Sequence, residues 1–271
     1  MDLQLAPGLE GAGGGAWMNQ AMFRQAPVTL AVGANAQSIG LVRRLFAPLP
    51  PRSYCVLPLD AGMFLRRRGF PMQASAVAGM AVNAGWKLRN SVFAPRAPVG
   101  IQVEEAASVD SGWLEPLHAA LPDRMACVVP SAEQLQWRLF GNPRARYRLY
   151  LAHQDDRCIG YLAARRTQSG SNAGDALHII DWKLAAGSET AALTALLRHV
   201  VNAAQRQGCS KVYTTALAPR SATVFKSQGF LRGRADARLL MGLLATLPLP
   251  GMEQASAWHL TDLSFDSDGY F

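Results

Sequence analysis

Charged residues are scarce in this chain, and several common sequence signals are missing from it. Asp, Glu, Lys and Arg make up 17% of the 271 residues, whereas 49% are hydrophobic. No run of about eighteen apolar residues is free of charges or helix breakers, which argues against a membrane span. The N-terminus lacks the basic and apolar regions of a signal peptide. We therefore expect a globular, cytoplasmic protein with no membrane partner.

Metal-binding and disulfide patterns are also missing. Cys55, Cys127, Cys158 and Cys209 include no C-x-x-C pair, so they indicate isolated buried thiols. The five histidines have no ligand spacing, and no G-x-S-x-G, H-E-x-x-H or Walker pattern occurs. We expect no bound metal.

The net charge of +8 comes from basic pairs and triplets that are spread along the whole chain. Without a single basic stripe, and with the Arg, Ala and Gly usage of a GC-rich genome, this charge does not predict a nucleic-acid partner. An aminoacyl transferase that uses charged tRNA would use the basic surplus. No interleaving of aromatic and basic residues supports that alternative.

The first 110 residues divide into a polar leader, a short structured region and a connector. Residues 1–26 contain a glycine run and little hydrophobic periodicity, which predicts disorder. The periodicity then predicts a strand at Val28–Val32, a helix at Asn35–Phe46 and a strand at Tyr54–Leu59. Helices are expected at Ala61–Arg68 and Ser75–Arg89, before a Pro- and Gly-containing connector.

The pattern is clearer from residue 111 to 250. Helices are predicted at Trp113–Leu121 and from Ser131, whose spacing to Gln134 forms a capping box. Seven more elements follow, and a long amphipathic helix between Ser188 and Gly208 is the clearest of them. Their order from Tyr147 is β-β-β-α-β-α-β, with strands near Tyr147–Leu151, Cys158–Ala163, Ala176–Leu184, Lys211–Leu217 and Arg238–Leu244 and a second helix at Pro219–Gln228.

An internal repeat relates the two halves of the chain. The strand-helix-strand pattern at Val28–Leu59 matches Val212–Gly242 at an offset of 183 residues, which aligns Ser38 with Ser221. Two copies of one supersecondary unit would explain the match, and a chance match is the alternative.

The element order, with Gln228-Gly229-Phe230 after the second helix, resembles the GNAT acetyltransferase superfamily over about 110 residues. The resemblance implies an α/β (α+β) fold: a mixed, mostly antiparallel sheet flanked by helices, with a partial second copy at the N-terminus. The stretches Trp137–Phe140, Ile180–Trp182 and Trp258–Asp262 resemble tandem GNAT proteins linked to bacterial polysaccharide biosynthesis. We expect four regions: a disordered leader at 1–26, a partial GNAT-like half-domain with a connector at 27–110, a GNAT-like acyltransferase domain at 111–250 and a C-terminal tail at 251–271. The N-terminal module is expected to be truncated.

The resemblance implies acyl-CoA, such as acetyl-CoA, bound at the N-terminus of the long helix, where backbone amides favour an anion. It places the cofactor on Leu184, Ala185, Gly187, Ser188 and Ala191. Leu193 and Glu189 depart from the small, uncharged residues that such a loop uses. The register can instead make Gly187 and Ser188 the donors.

The resemblance also implies an amine that attacks a thioester directly. Asp181, in the strand before the cofactor loop, is the expected general base, with a pKa raised by burial. Its alternatives are a solvated position or a pair with Arg165 or Lys183. Phe225 occupies the position where many such enzymes have a proton-donating Tyr. Tyr213 on the neighbouring strand is therefore the candidate general acid. The alternative is that Tyr213 is only an aromatic residue of the strand.

Two functions follow from these residues. The first is N-acyltransfer to a small-molecule amine, such as an amino sugar. The second is a non-catalytic GNAT-like module that binds a partner or a second copy of itself, which Glu189, Leu193 and Phe225 favour. The tail carboxylates Asp262, Asp266 and Asp268 are expected to be solvated, with a cation contact as the alternative.

Overall fold

The computed structural model describes most of the chain between residues 28 and 264. The described ranges are 28–32, 39–67, 69–93, 98–123, 125–143, 145–167, 175–233, 241–245, 251 and 254–264. The expected leader, the start of the helix expected from Asn35, and the carboxylates Asp266 and Asp268 lie outside these ranges. The chain forms two compact units, Met1–Pro51 with Asp236–Gln254, and Arg52–Ala235 with Ala255–Phe271.

The first unit contains a three-stranded antiparallel sheet. Strand β11 (Met241–Ala245) lies between β1 (Val28–Val32) and β2 (Ala47–Leu49), and helix α1 (Ile39–Leu45) connects the outer strands along the chain. The sequence predicted that β11 would be the last strand of the C-terminal domain. That prediction is wrong in its pairing, because Met241–Ala245 forms its ladder with Val28–Val32 instead.

The second unit is built around a larger mixed sheet. Its strands are β3 (Ser53–Pro58), β4 (Ile101–Ala106), β5 (Ala126–Cys127), β6 (Tyr147–Gln154), β7 (Arg157–Thr167), β8 (Ala176–Leu184), β9 (Lys211–Leu217), β10 (Leu231–Arg232) and β12 (Trp258–Thr261). Its helices are α2 (Ala61–Arg67), α3 (Met72–Phe93), α4 (Ser111–Ala119), α5 (Ala132–Gln136), which continues as a π-helix at Trp137–Gly141, α6 (Glu189–Arg206) and α7 (Pro219–Ser227). Short 3₁₀ turns at Ala255–Ala257 and Asp262–Ser264 flank β12.

The strand order of this sheet is β10-β3-β9-β8-β7-β6-β4. Neighbouring strands run antiparallel except β8 and β9, which are parallel. The order β-β-β-α-β-α from Tyr147 and the mixed, mostly antiparallel sheet are therefore confirmed. The units differ from the expected boundaries at residues 110 and 250 because β3 pairs along its full length with β9.

The internal repeat is visible in the strand pairing. The offset of 183 residues relates Pro48 of β2 to Leu231 of β10, and β1 to the start of β9. The order β1-β11-β2 in the first unit matches the order β9-β3-β10 in the second. In each triplet the two outer strands come from one copy of the repeat and the middle strand comes from the other copy.

Helix α6 covers the central strands because its apolar residues fall on one face. Leu193, Leu196, Leu197 and Val200 are fully buried against the sheet, as the 3.6-residue period predicts. Gly208, at φ +69°, ends the helix in the left-handed region, and the following Cys209 amide donates to Ala204 O. On the other face α4 packs on β7 and β8, where Trp113 contacts the Tyr161 ring edge-on.

Helices α2 and α3 form a hairpin at a close glycine contact. A Cβ atom on Gly79 would lie 2.5 Å from both Cα and N of Gly62, which is closer than real atoms approach. The Ala61 amide donates to Asn83 Oδ1, and Ser75 is completely buried between the helices. Small residues therefore hold this helix pair together.

Replacing Gly79 with alanine is expected to destabilise the protein by about 1–3 kcal/mol, because the backbone of Gly62 must move away. Gly85→Ala, in the same helix with open space around its Cα, is the control and should gain about 0.5–1 kcal/mol from helix propensity. Urea unfolding of both variants measures the difference. Equal stability of the two variants would contradict the close contact.

Candidate active site

Strand β8 carries the candidate site, since it is buried along its whole length and leads directly into α6. Successive side chains of a strand point to opposite faces. Asp181 and Lys183 lie on the face that contacts Tyr161, whereas Trp182 packs on Phe225 of α7. Phe225, which stands where the family resemblance would place a tyrosine, is buried against Trp182 and Phe230.

Asp181 is the centre of a buried hydrogen-bond network. It accepts hydrogen bonds from Lys183 Nζ at 2.9 Å, Tyr161 OH at 2.6 Å and Thr261 Oγ1 at 2.7 Å. Burial alone would raise the pKa of Asp181, but the Lys183 ammonium and these three hydrogen bonds together hold the pKa below its ordinary value. The expectation of a raised pKa is therefore wrong, and the carboxylate pairs with Lys183, one of the alternatives considered.

Burial and the nearby Asp181 charge raise the pKa of Tyr161 well above its ordinary value, so Tyr161 stays a hydrogen-bond donor. A carboxylate with a lowered pKa binds a cation well and takes up a proton poorly. The network thus favours an ionised Asp181 that holds a positive group in place.

A cavity of about 540 Å³ opens beside Asp181 and Lys183, a volume within the range of small-molecule sites. Trp137, whose side chain is 61% exposed, lines this cavity. Glu133, one helical turn earlier, and the adjacent Arg138 line it as well. The remaining lining residues are mostly apolar: Val128, Pro130, Gln134, Leu135, Leu263 and Ser264. Charged groups of both signs and an accessible indole therefore surround one space.

The sequence predicted the helix start at Ser131 but not this cavity. The capping box is present, with Gln134 N donating to Ser131 Oγ and Ser131 N donating to Gln134 Oε1. The cavity wall combines residues from α5, β8 and the chain after β12, which are far apart in sequence. No local pattern brings these segments together.

The predicted cofactor residues lie at the junction of β8 and α6, but some of their amides are already bonded. Leu184 ends β8, and Ala185 N donates to Ile159 O at 2.9 Å. Gly187 adopts φ +81°, the turn conformation that glycine favours, and Ser188 N donates to Ala185 O at 3.1 Å. The Ser188 amide therefore already has an acceptor, which disfavours Ser188 as an anion donor in the alternative register.

The amides of the first turn of α6, which include that of Ala191, are the ones that a helix leaves without intrahelical acceptors. Arg220, exposed at the start of α7, lines the same small cavity as Glu189 and Thr190 of this turn. The helix end and the guanidinium fit a phosphate group, whereas the Glu189 carboxylate opposes one.

The cavity behind that turn measures only about 30 Å³, the space of about one water molecule. Leu193, Val224 and His259 close it. His259 donates from Nε2 to Trp182 O at 2.7 Å, and burial lowers its pKa to about 3, so the ring is neutral. The residues fit the phosphate end of an acyl-CoA molecule at the helix end, but the cavity behind that end is too small for the thioester arm, which would have to lie elsewhere.

Strand β12 accounts for the small space. Strands β8 and β9 pair only from Ala176 to His178, after which β12 lies beside β9 through Leu260 and Thr261. The bond from His259 to Trp182 O joins β12 to β8 as well. Residues Trp258–Thr261 are therefore part of the sheet, where the sequence predicted a solvated tail.

Asp262 holds the segment that contains β12 through buried polar contacts. The buried Asp262 carboxylate pairs with Arg52, accepts a hydrogen bond from Thr215 and contacts His178 Nε2 at 2.8 Å. The expectation that Asp262 is solvated is wrong, because Asp262 is buried and its partners come from β8, from β9 and from the residue before β3. The alternation of Trp258 and Leu260 with polar residues was the signal that could have found β12.

Tyr213 lies apart from the cofactor loop. It pairs with His178 in register and stacks on its ring with centroids 4.4 Å apart, ~20 Å along the strand from Leu184. Burial raises the pKa of Tyr213 to about 12, with a smaller opposing effect of the hydrogen bond to Thr167. The structure therefore brings Asp181 to the cavity but leaves Tyr213 in the sheet as an aromatic residue.

Comparison with known proteins identifies the fold. A GCN5-related N-acetyltransferase from Anabaena variabilis superposes with a TM-score of 0.54 at 12% identity, over 89% of this chain and 53% of that structure. Saccharomyces cerevisiae N-myristoyltransferase with bound myristoyl-CoA gives 0.48 at 10% identity, over 89% of this chain and 60% of that structure, and a GCN5-related N-acetyltransferase from Kribbella flavida gives 0.46 at 12% identity, over 86% and 74%. The chain spans about half the length of the Anabaena structure.

The chain therefore has the fold of the GNAT superfamily of acyl-CoA N-acyltransferases. No protein-family profile and no curated protein matches the sequence. None of the helices that the structure describes is long and apolar enough to cross a membrane.

Proposed function

We propose that this chain is an N-acyltransferase that transfers an acyl group from acyl-CoA to the amine of a small molecule. The observation that carries the proposal is the 540 Å³ cavity with ionised Asp181 at its wall, on the strand that leads into α6. Asp181 would bind the ammonium form of the acceptor, and Lys183, Tyr161 and Thr261 would fix the carboxylate in place. The ammonium would release a proton to water before the neutral nitrogen attacks the thioester, and the departing thiolate would take up a proton from water. Acetyl-CoA is the donor that we would test first.

An amino sugar is the acceptor class that the cavity favours. The exposed Trp137 ring offers a flat apolar surface for one face of a sugar, while Glu133, Gln134 and Arg138 offer hydrogen bonds to hydroxyl groups. Such an acceptor would agree with a role in polysaccharide biosynthesis. Trp137→Ala should raise KM for the acceptor with little effect on the fold, because the ring is exposed.

A non-catalytic GNAT-like module is the second candidate function. Three observations favour it: Glu189 at the helix end, the small cavity closed by Leu193 and β12, and Phe225 in place of a proton donor. In that case the cavity beside Asp181 would bind a small molecule without chemistry.

Titration calorimetry with acetyl-CoA tests the donor site. Binding by the wild-type chain is expected, and Glu189→Ala should bind about fivefold more tightly because a like charge near the phosphates is gone. Glu115→Ala on the exposed face of α4 is the matched control and should leave the affinity unchanged. If neither form binds acetyl-CoA at millimolar concentration, the enzyme function is excluded for this chain and the second candidate remains.

A thiol-release assay then tests transfer. Mixing acetyl-CoA with glucosamine should release free thiol, whereas glucose, which lacks the amine, should not. If acetyl-CoA binds but neither glucosamine nor glucose causes thiol release, the acceptor belongs to another class.

A further inference from the structure

Residues 61–103 form a segment in which every formal charge is positive. This segment contains six Lys or Arg residues and no Asp or Glu, although the chain as a whole contains 19 acidic residues. Four of its basic residues lie in helices, Arg66 and Arg67 at the end of α2 and Lys87 and Arg89 in the last third of α3.

Between these two basic groups, α3 exposes large apolar side chains. Met72, Val77 and Met80 are 72%, 66% and 65% exposed, and Phe70 and Val82 are exposed as well. From Met72 to Trp86 the helix contains no charged residue at all. A cluster of exposed apolar side chains ordinarily marks a surface that contacts protein or lipid.

The packing of α3 explains why this apolar surface faces outward. The helix contacts α2 through its smallest residues, Ser75 and Gly79, which are the buried positions of its first three turns. The large side chains of Val77 and Met80 point away from that contact. They contribute little to the helix pair and remain available to a partner.

We infer that the exposed face of α3 binds an anionic lipid surface. Apolar side chains between two basic groups match a bilayer interface, where methionine and valine enter the acyl boundary and Arg or Lys contacts phosphate headgroups. A second copy of the chain fits this face less well, because every formal charge in the segment is positive and the two copies would repel each other there. The interaction is peripheral, since no described helix is long and apolar enough to cross a membrane.

Vesicle flotation with the full chain tests this surface. The chain is expected to float with vesicles of phosphatidylcholine and phosphatidylglycerol in equal parts, to remain unbound with phosphatidylcholine alone, and to dissociate as salt is added. The double variant Val77→Gln with Met80→Gln should weaken binding on the order of 100-fold. Arg66→Gln, at an exposed position of α2, should weaken binding about fivefold.

Leu231→Gln is the matched control, because Leu231 is equally an exposed apolar residue but lies on β10 rather than on α3. It should bind vesicles like the wild type, and thermal unfolding should show all variants folded. Failure of the wild type to bind anionic vesicles would overturn the inference. So would equal binding to neutral vesicles, or a dimer in sedimentation velocity that the double variant dissociates while vesicles have no effect.

Discussion

Replacing Asp262 with alanine is expected to lower the free energy of unfolding by about 3–5 kcal/mol, because it leaves the buried Arg52 without this carboxylate. The Asp262 carboxylate also accepts a hydrogen bond from Thr215 Oγ1 and contacts His178 Nε2. The alanine variant therefore leaves two more buried polar groups without this partner. Urea unfolding followed by fluorescence measures the change.

The Asp175→Ala variant is the control for this prediction. Asp175 pairs with Arg166, whose side chain is half exposed, so its loss should cost about 0–1 kcal/mol. Asp262→Asn should fall between the two variants, since the amide keeps its shape and accepts a hydrogen bond but carries no charge. A loss for Asp262→Ala as small as that for Asp175→Ala would contradict the buried anchor.

The stability effect also bears on function, because Asp262 fixes the segment that contains β12. Thr261, the preceding residue, donates to Asp181 at the cavity, and Leu263 and Ser264 line that cavity. Loss of the anchor should therefore loosen the cavity wall as well as the sheet. Because Thr261, Asp262, Leu263 and Ser264 are consecutive residues, the buried cluster around Asp262 is linked directly to the candidate acceptor site.

Regular periodicity made the central elements predictable from the sequence. The apolar spacing from Leu193 to Val200 predicts α6, and the alternating residues of β6, β7 and β8 predict the antiparallel strands. Strand β4 was missed even though Ile101 and Val103 alternate with polar residues, because the neighbouring Pro and Gly residues indicated a loop. Short strands beside such residues need a pairing partner to be identified, and β4 has one in β6.

The candidate site was only partly predictable, because its contacts join distant parts of the chain. A charged residue within an apolar strand correctly drew attention to Asp181. The direction of its pKa could not follow from the sequence, since Tyr161 and Thr261 lie 20 and 80 residues away. The same reason explains why Arg52 and His178 gave no signal, as both are isolated polar residues until Asp262 joins them.

The exchange of middle strands between the two copies of the repeat could not be predicted either. Strands β3 and β11 each follow their helix in sequence, and local rules favour pairing within the same copy. The pairs that form instead are β3 with β9 and β11 with β1. The repeat was visible as a pattern, whereas the partner of each strand depends on long-range packing.

The Lys183→Met variant is expected to lose about 3 kcal/mol of stability at neutral pH, because Asp181 then stays buried without its ammonium partner. In the wild type the folded-state pKa of Asp181 is lowered, so its contribution is present above the unfolded-state pKa of about 3.9 and is lost as pH falls. Without Lys183, burial raises the folded-state pKa above the unfolded value, and the contribution is instead lost as pH rises.

The gap in stability between wild type and Lys183→Met should therefore be largest near neutral pH and shrink below about pH 4. Urea unfolding at both pH values measures it, with the exposed Lys226→Met variant as a control that should match the wild type throughout. The double variant with Asp181→Leu should recover part of the loss at neutral pH, since no buried charge remains. A gap that is the same at both pH values would mean that Lys183 stabilises the fold by packing, and that the Asp181 carboxylate does not depend on it.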